Sequence, residues 1–324
     1  MGNPVDVNGK SVRNTDPYLP TPPGPDMSHP ETAPAGPSPG YRSVFAPGLF
    51  AGQVVWVTGG GSGIGRCVAH ELASLGATVV VSGRAQDKLE RVAAEIAADG
   101  GRCETVAFDI RDEDAVKTAV RQVVERHAAI HGLVNNAGGQ FPAPLMAISK
   151  RGFDAVVANN LTGGFLMMRE VFNQSMQKHG GSIVNMTADF RNGMPGMGHS
   201  GAARAGMSNL TMTAAFEWAH AGVRVNAVSP GWVASSGMDK YEGAVRAMIP
   251  RLKAHVPLRR LATESEVSAA ILFLLGPGAA FITGVTLQID GGASLGNPVF
   301  PSLDHDRSVP FEGFHRSVRP EVLK

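Results

Sequence analysis

The sequence predicts an α/β fold: a single doubly wound domain built on one seven-stranded parallel sheet. Three observations carry that expectation. Short apolar runs recur from residue 54 to residue 289, each is followed by a stretch of helical periodicity, and no break in the rhythm marks a second domain. With 324 residues, 43% of them hydrophobic, the chain is long enough to bury a sizeable core.

In order, residues 54–57 (Val-Val-Trp-Val) form an apolar run that enters a glycine-rich loop and read as a buried parallel strand. Residues 66–75 show helical spacing, closed by Gly76. Strands follow at 78–82, 105–108 and 133–135, separated by helices at 87–98 and 112–127. A long helix over about 152–179 leads to a strand at 182–186, a helix at 202–219 and a strand at 224–228. A helix at 264–275 and a strand at 285–289 complete the sheet, with helices expected on both faces.

Three regions differ in composition. Residues 1–45 are an arm, since eleven of the 22 prolines lie in the first 50 residues among Gly, Ser, Asn and Asp. The arm is either flexible or held against a neighbouring subunit. Residues 46–296 are the folded domain. Residues 297–324 are a tail carrying Phe300, Phe311 and Phe314, an apolar load expected to pack across a subunit interface. The formal charge of +1 gives no electrostatic reason for a nucleic-acid or membrane partner. No apolar run approaches a membrane span, and no signal-peptide stretch opens the chain. Cys67 and Cys103 have neither metal-binding nor disulfide-scaffold spacing, so no metal is expected and the cytoplasm is the expected compartment.

The loop Thr58-Gly59-Gly60-Gly61-Ser62-Gly63-Ile64-Gly65 lies between the first strand and the first helix. Glycines at 59, 63 and 65 let the backbone turn tightly and approach a pyrophosphate, and the following helix offers free N–H groups to the phosphates. In that context the loop, Ser62 and Ile64 included, reads as the nicotinamide-dinucleotide site of a Rossmann fold. An ordinary glycine-rich turn is the competing reading.

The spacing Thr-Gly-x-x-x-Gly-x-Gly resembles that of the short-chain dehydrogenase/reductase family, and the resemblance extends over about residues 50–295. Asn135-Asn136-Ala137-Gly138, Asp109 with Ile110, Asn160, Ser229-Pro230-Gly231 with Val233, Phe281-Ile282-Thr283-Gly284 and Asp290-Gly291-Gly292 all fall in the family's order. The resemblance implies that Asn136, Ala137, Gly138, Asp109, Ile110, Pro230, Gly231 and Val233 line the cofactor, and that the chain assembles as a homotetramer. After the second strand comes Ser82-Gly83-Arg84, with no acidic residue before Asp87. An arginine there favours a 2′-phosphate, so NADP(H) is expected over NAD(H). Alternatively, Arg84 caps the strand end at the surface.

The family's Tyr-x-x-x-Lys motif is missing. Ser200 stands at the tyrosine position and Arg204 at the lysine position, in His199-Ser200-Gly201-Ala202-Ala203-Arg204. Near the usual catalytic serine only Thr187 carries a hydroxyl. An unassisted serine does not exchange protons near neutral pH, and arginine stays protonated. Asn160, Thr187, Asp189, Ser200 and Arg204 are therefore the candidate catalytic residues, with Arg204 also holding ribose. His199 ranks below Asp189, being expected to precede the helix. Asp189 at the carboxyl edge of the sheet fits an acid or water-orienting role and a turn cap equally well.

Gly138-Gly139-Gln140-Phe141 and the stretch from His199 to Gly206 look like the trans-2-enoyl-CoA and 2,4-dienoyl-CoA reductase branch, which also lacks the usual tyrosine. The trans-2-enoyl-CoA reductase has a tyrosine one helical turn past the arginine, whereas this chain has Ser208. Residues 195–199, 232–238 and 310–316 look similar to bacterial citronellol/citronellal dehydrogenases. Residues 232–257, mixing Met238, Met248 and Ile249 with Lys240, Arg246, Arg251 and Lys253, read either as an amphipathic surface element or as an apolar lid with a basic rim for coenzyme A phosphates. The ending Val322-Leu323-Lys324 is not a peroxisomal address. The expected activity is an NADP(H)-linked reduction of an α,β-unsaturated acyl-CoA or related conjugated carbonyl. The alternatives are a terpenoid dehydrogenase and a catalytically silent dinucleotide-binding protein.

Overall fold

β-Branched residues build the centre of the sheet. In β1 (Val54–Thr58) alternate side chains enter two separate cores, Val55 and Val57 on one face and Val54 and Trp56 on the other. That two-sided burial explains why residues 54–57 are apolar without alternation. The elements that follow are α1 (Gly63–Ser74), β2 (Thr78–Gly83), α2 (Gln86–Ala98), β3 (Arg102–Ala107), α3 (Glu113–His127) and β4 (Gly132–Asn135). Next come α4 (Lys150–Val157), α5 (Gly163–Val171), α6 (Gln177–His179), β5 (Gly181–Met186), α7 (Gly198–Trp218) and β6 (Val223–Pro230). The series ends with α8 (Gly243–Met248), α9 (Glu264–Leu275) and β7 (Thr286–Ile289). This computed structural model describes residues 40–295 and 303–324. Most of the N-terminal arm (1–39) and Phe300 of the tail lie outside the described residues.

The seven strands pair in the order β3-β2-β1-β4-β5-β6-β7, every pair parallel. The chain reverses direction of winding between β1 and β4, which opens a crevice at the carboxyl ends of those strands. On one face α1 and α9 cover Val55, Val57, Val79 and Val81; on the other α3, α5 and α7 cover Val54, Trp56, Val80 and Leu133. Trp56 satisfies its buried indole N–H on the Ser82 hydroxyl at 2.9 Å.

Four elements depart from the sequence expectation. β3 starts at Arg102 and not at 105, because it is the sheet edge and tolerates Arg102 and Glu104 without apolar patterning. The long helix is broken by π turns at Ala158–Thr162 and Phe172–Met176. α7 starts at Gly198, so His199 lies in its first turn and is fully buried, correcting its placement before the helix. The 232–257 stretch is three short helical pieces: Ser236–Lys240, α8 and Ile249–His255.

In the tail, the Ser265 hydroxyl accepts the N–H groups of Gly313 and Phe314. The Phe314 ring is 4% exposed and lies 4.9 Å from the Arg66 guanidinium carbon. Phe314 thus takes its burial from α1 and α9 of its own chain. Among the described residues no helix is long and apolar enough to cross a membrane, and no group of three His, Cys, Asp or Glu side chains is placed to hold a metal.

Candidate functional site

The loop after β1 and the loop after β4 are joined through Thr58. Its hydroxyl accepts the N–H groups of Asn136 and Ala137 at 3.0 Å each, and the Asn136 amide donates to the Thr58 and Gly59 carbonyls at 3.0 and 3.3 Å. Gly59 and Gly63 hold φ of +66° and +57°, the left-handed region that favours glycine. At Gly65 a Cβ would sit 2.4 Å from the Asn136 amide nitrogen and 2.5 Å from the Gly59 carbonyl oxygen, so no side chain fits. The Ser62 side chain makes no capping bond to α1, and the first turn holds no acidic residue. The N–H groups at that helix start are open to an anion.

Two cavities meet at this loop. The first, about 410 Å³, is bordered by Gly59, Ser62, Arg84, Lys88, Asp109 and Ile110. Arg84 and Lys88 are exposed and give its rim positive charge. Asp109 is not a free acceptor: the Arg111 guanidinium grips its carboxylate, at 2.9 Å from Nε and 2.5 Å from Nη2, and holds its pKa below the usual carboxylate range. Ile110 turns inward, against the space a Cβ of Gly163 would occupy.

The second cavity, about 490 Å³, is lined by Ile64, Asn136, Gly138, Pro230, Gly231 and Val233 on the dinucleotide side. Gln140, Thr187, Asp189, Met194, Trp232 and Tyr241 line the rest. Arg204 reaches it from α7: it is 8% exposed, donates to the Met186 carbonyl at 2.6 Å, and burial lowers its pKa to about 10. Its Nη2 lies 2.7 Å from where a Cβ of Gly138 would be, so a glycine is needed there for the guanidinium to approach the loop.

The other candidates divide into those that face this cavity and those that stand behind it. Asn160 sits in the π turn, 3% exposed; its oxygen accepts the Gly139 N–H at 3.0 Å and its amide donates to the Gly139 and Val156 carbonyls. Its amide is spent on fixing the 138–139 loop, and it is not on the cavity wall. Thr187 is on the wall, but its hydroxyl proton goes to the Val228 carbonyl at 2.8 Å. Ser200 is fully buried and donates to the Gln140 side-chain oxygen at 2.5 Å. His199 accepts the Ser200 N–H and meets the Phe141 ring edge-on at 4.5 Å, behind the wall. Asp189 faces the cavity with Oδ1 buried and unpartnered among the described residues. Burial, then the charge of Asp290, raises its pKa. Asp290 itself is held by the N–H groups of Gly292 and Ser294 at 2.9 Å.

Tyr241 on the cavity wall was not singled out from the sequence. Only its rarity offered a signal, as one of three tyrosines and the one that falls in the 232–257 segment.

The glycine loop, the β1/β4 crevice and the paired cavities define a nicotinamide-dinucleotide oxidoreductase of the Rossmann type. The family model described as enoyl-(acyl carrier protein) reductase matches residues 59–294. The chain is 33% identical over 279 residues to the peroxisomal 2,4-dienoyl-CoA reductase of Pongo abelii, covering 85% of this chain and 94% of that protein. The protein of the same name from Danio rerio is 33% identical over 259 residues, 79% of this chain and 86% of its own length. Among solved structures, the citronellol catabolism dehydrogenase of Pseudomonas aeruginosa PAO1 is 61% identical, with a TM-score of 0.72 over 78% of this chain and all (100%) of that one. The chain belongs to the short-chain dehydrogenase/reductase family, whose members bind nicotinamide dinucleotides.

Proposed function

We propose that the chain is an NADP(H)-dependent reductase that delivers hydride to an α,β-unsaturated acyl-CoA or a related conjugated carbonyl. The observation that carries this reading is Asp189: a cavity-facing carboxyl with an unpartnered buried oxygen and a raised pKa, in a site where the family's tyrosine position holds Ser200. Reduction of a conjugated double bond needs a proton at carbon beside the carbonyl, which a protonated carboxyl supplies directly or through water. Alcohol–ketone exchange needs a tuned hydroxyl at the carbonyl oxygen. Thr187 has its proton committed to a backbone carbonyl, and Ser200 has its own committed to Gln140.

Gly59, Ser62, Gly63, Ile64 and Gly65 would hold the pyrophosphate, and Asn136, Ala137, Gly138, Pro230, Gly231 and Val233 the nicotinamide end. Bound NADPH supplies the hydride. Arg84 with Lys88 would hold the 2′-phosphate by charge-assisted hydrogen bonds. Arg204 replaces the family's lysine as a fixed positive charge behind Gly138, donating toward ribose. Its buried charge also favours the electron-rich product of hydride addition. Asn160 acts through the 138–139 loop as a positioning residue. The assembly is proposed to be a homotetramer in the cytoplasm, with a small-molecule acyl-CoA or terpenoid as substrate.

The similarity to a citronellol catabolism dehydrogenase favours a second reading, a terpenoid alcohol or aldehyde dehydrogenase. NADPH oxidation measured in parallel with crotonyl-CoA, a 2,4-dienoyl-CoA and citronellal separates the two. Turnover of the thioesters supports the first reading, and turnover of the aldehyde alone replaces it with the second. NADPH binding without any turnover identifies a silent dinucleotide-binding protein.

A further inference from the structure

We propose that the turn Glu321–Leu323 braces the substrate side of the second cavity from behind, and that Asp239, Val322 and Leu323 are positioning residues that set substrate affinity through it. The inference rests on the reading that the substrate enters that cavity beside Trp232, Met238 and Tyr241. Those three wall residues belong to the 232–257 stretch, whose helical pieces are five, six and seven residues long and have no side-chain cap at their starts. Pieces of that length do not hold their own shape in water, so packing has to impose it. A small apolar core does so: Met238, Ile249 and Leu252 are buried together, with Trp232, Tyr241, Val322 and Leu323 packed around them. The side chains that meet the cavity are thus in one cluster with the turn.

Polar contacts fix the turn to the wall as well. Pro320 stands at the start of the turn and has no side-chain acceptor for the N–H groups that follow. Asp239 supplies both acceptors: Oδ2 takes the Glu321 N–H at 3.2 Å and Oδ1 the Val322 N–H at 3.1 Å. The other end of the brace is anchored on the dinucleotide side. Arg66 of α1 donates to the Arg316 carbonyl at 3.2 Å, and the Arg316 guanidinium grips Asp99, at the end of α2, at 2.6 Å. Residues 317–319 between anchor and turn are exposed. The tail therefore runs from helices packed on the sheet to a wall that cannot hold itself, and it favours the closed wall over an open one. Substrate that binds only the closed wall has an apparent affinity proportional to the closed fraction, whereas the reaction inside the closed complex is unaffected.

The test compares a variant ending at Arg319, Asp239→Ala and Asp239→Asn with the parent protein. The first readout is hydrogen exchange followed by mass spectrometry, made without cofactor or substrate and so independent of the reaction. Peptides from residues 236–255 are expected to exchange ~10-fold faster in the shortened variant and in Asp239→Ala, while peptides from β1 and β4 keep the parent's rate. Asp239→Asn keeps an acceptor for one of the two N–H groups and is expected to fall between. The second readout is kinetic, with whichever of crotonyl-CoA and citronellal the parent reduces. In the shortened variant KM for that substrate is expected to rise ~10-fold, with kcat and KM for NADPH each within about twofold, because the Arg316 anchor is intact. Unchanged exchange over 236–255 in the shortened variant, or a substrate KM that stays at the parent's value, overturns the proposal. Exchange that quickens equally in β1 and β4 overturns it too, since the tail is then a support of the whole fold. A parent that reduces neither compound counts against the substrate reading alone, and the exchange measurement still decides whether the turn braces the wall.

Discussion

Replacing Glu264 by glutamine is expected to stabilise the protein at alkaline pH and to lose that advantage in acid. Glu264 opens α9 and is 6% exposed, with no hydrogen bond to its carboxylate among the described residues. Its Oε1 lies 3.9 Å from where a Cβ of Gly63 would be. The charge that favours its ionisation is Arg66, which is already engaged by Glu95 at 2.7 Å. Burial raises the carboxyl from 4.5 to about 7. Each tenfold change in proton affinity is ~1.4 kcal/mol, so the ionised group opposes folding by about 3 kcal/mol. The folded chain binds this proton more tightly than the unfolded one, so the penalty is absent below about pH 4.5 and complete above about pH 7. A glutamine removes the penalty, at a loss of ~1 kcal/mol for an unpaired amide at every pH. The variant should therefore be about 2 kcal/mol more stable than the parent at pH 8 and about 1 kcal/mol less stable at pH 4.5. Urea unfolding followed by tryptophan fluorescence at both pH values measures the difference. The same stability difference at pH 4.5 and pH 8 would show that burial does not hold the Glu264 proton.

Three further outcomes follow from the site. Gly65→Ala places a Cβ 2.4 Å from the Asn136 amide, and should abolish NADPH binding by calorimetry while the far-ultraviolet circular dichroism of the fold persists. Arg84→Ala should raise KM for NADPH by ~10–100-fold and leave KM for NADH within about threefold, since one to two charge-assisted hydrogen bonds are lost; equal changes for both cofactors would count against the 2′-phosphate assignment. Asp189→Asn should lower kcat by ~10²–10⁴-fold. In the parent, the raised Asp189 pKa predicts a kcat for reduction that is full in acid and falls as pH rises through that pKa, because the protonated form is the donor. Asp189→Asn should lack that limb.

The parts of the fold that could be read in the sequence are those in which local chemistry and burial agree. β1 and β2 stand out because both their faces are covered, so residues 54–57 and 79–81 are apolar without interruption. β3 is blurred because an edge strand need not be apolar, and its first three residues, Arg102, Cys103 and Glu104, carry no apolar run. The start of α7 was missed because Gly198, His199, Ser200 and Gly201 lack helical periodicity; packing holds that turn, with His199 and Ser200 fully buried. The glycine loop was readable because its φ values and close approaches exclude side chains. The engagement of Asp109 by Arg111, the bonding of Asn160 to Gly139, and the pairing of Ser200 with Gln140 were not. Each depends on a rotamer or on two loops meeting at the sheet edge, and neither leaves a spacing in the chain. Residue type placed Asp189 and Arg204 among the candidates; for Asp189 the buried, unpartnered Oδ1 fits the acid role, and the Arg191 N–H that its carboxylate also accepts fits a turn cap.

In the proposed reaction hydride goes to a carbon conjugated with the carbonyl, and the proton comes from elsewhere. It is tested most directly by reducing crotonyl-CoA and citral, each with NADPH deuterated at the transferring position, and locating the label by mass spectrometry and NMR. Deuterium is expected at the carbon β to the thioester of crotonyl-CoA, with a solvent-derived proton on the neighbouring carbon. Deuterium found only at the carbonyl carbon of citral, with crotonyl-CoA untouched, would contradict it.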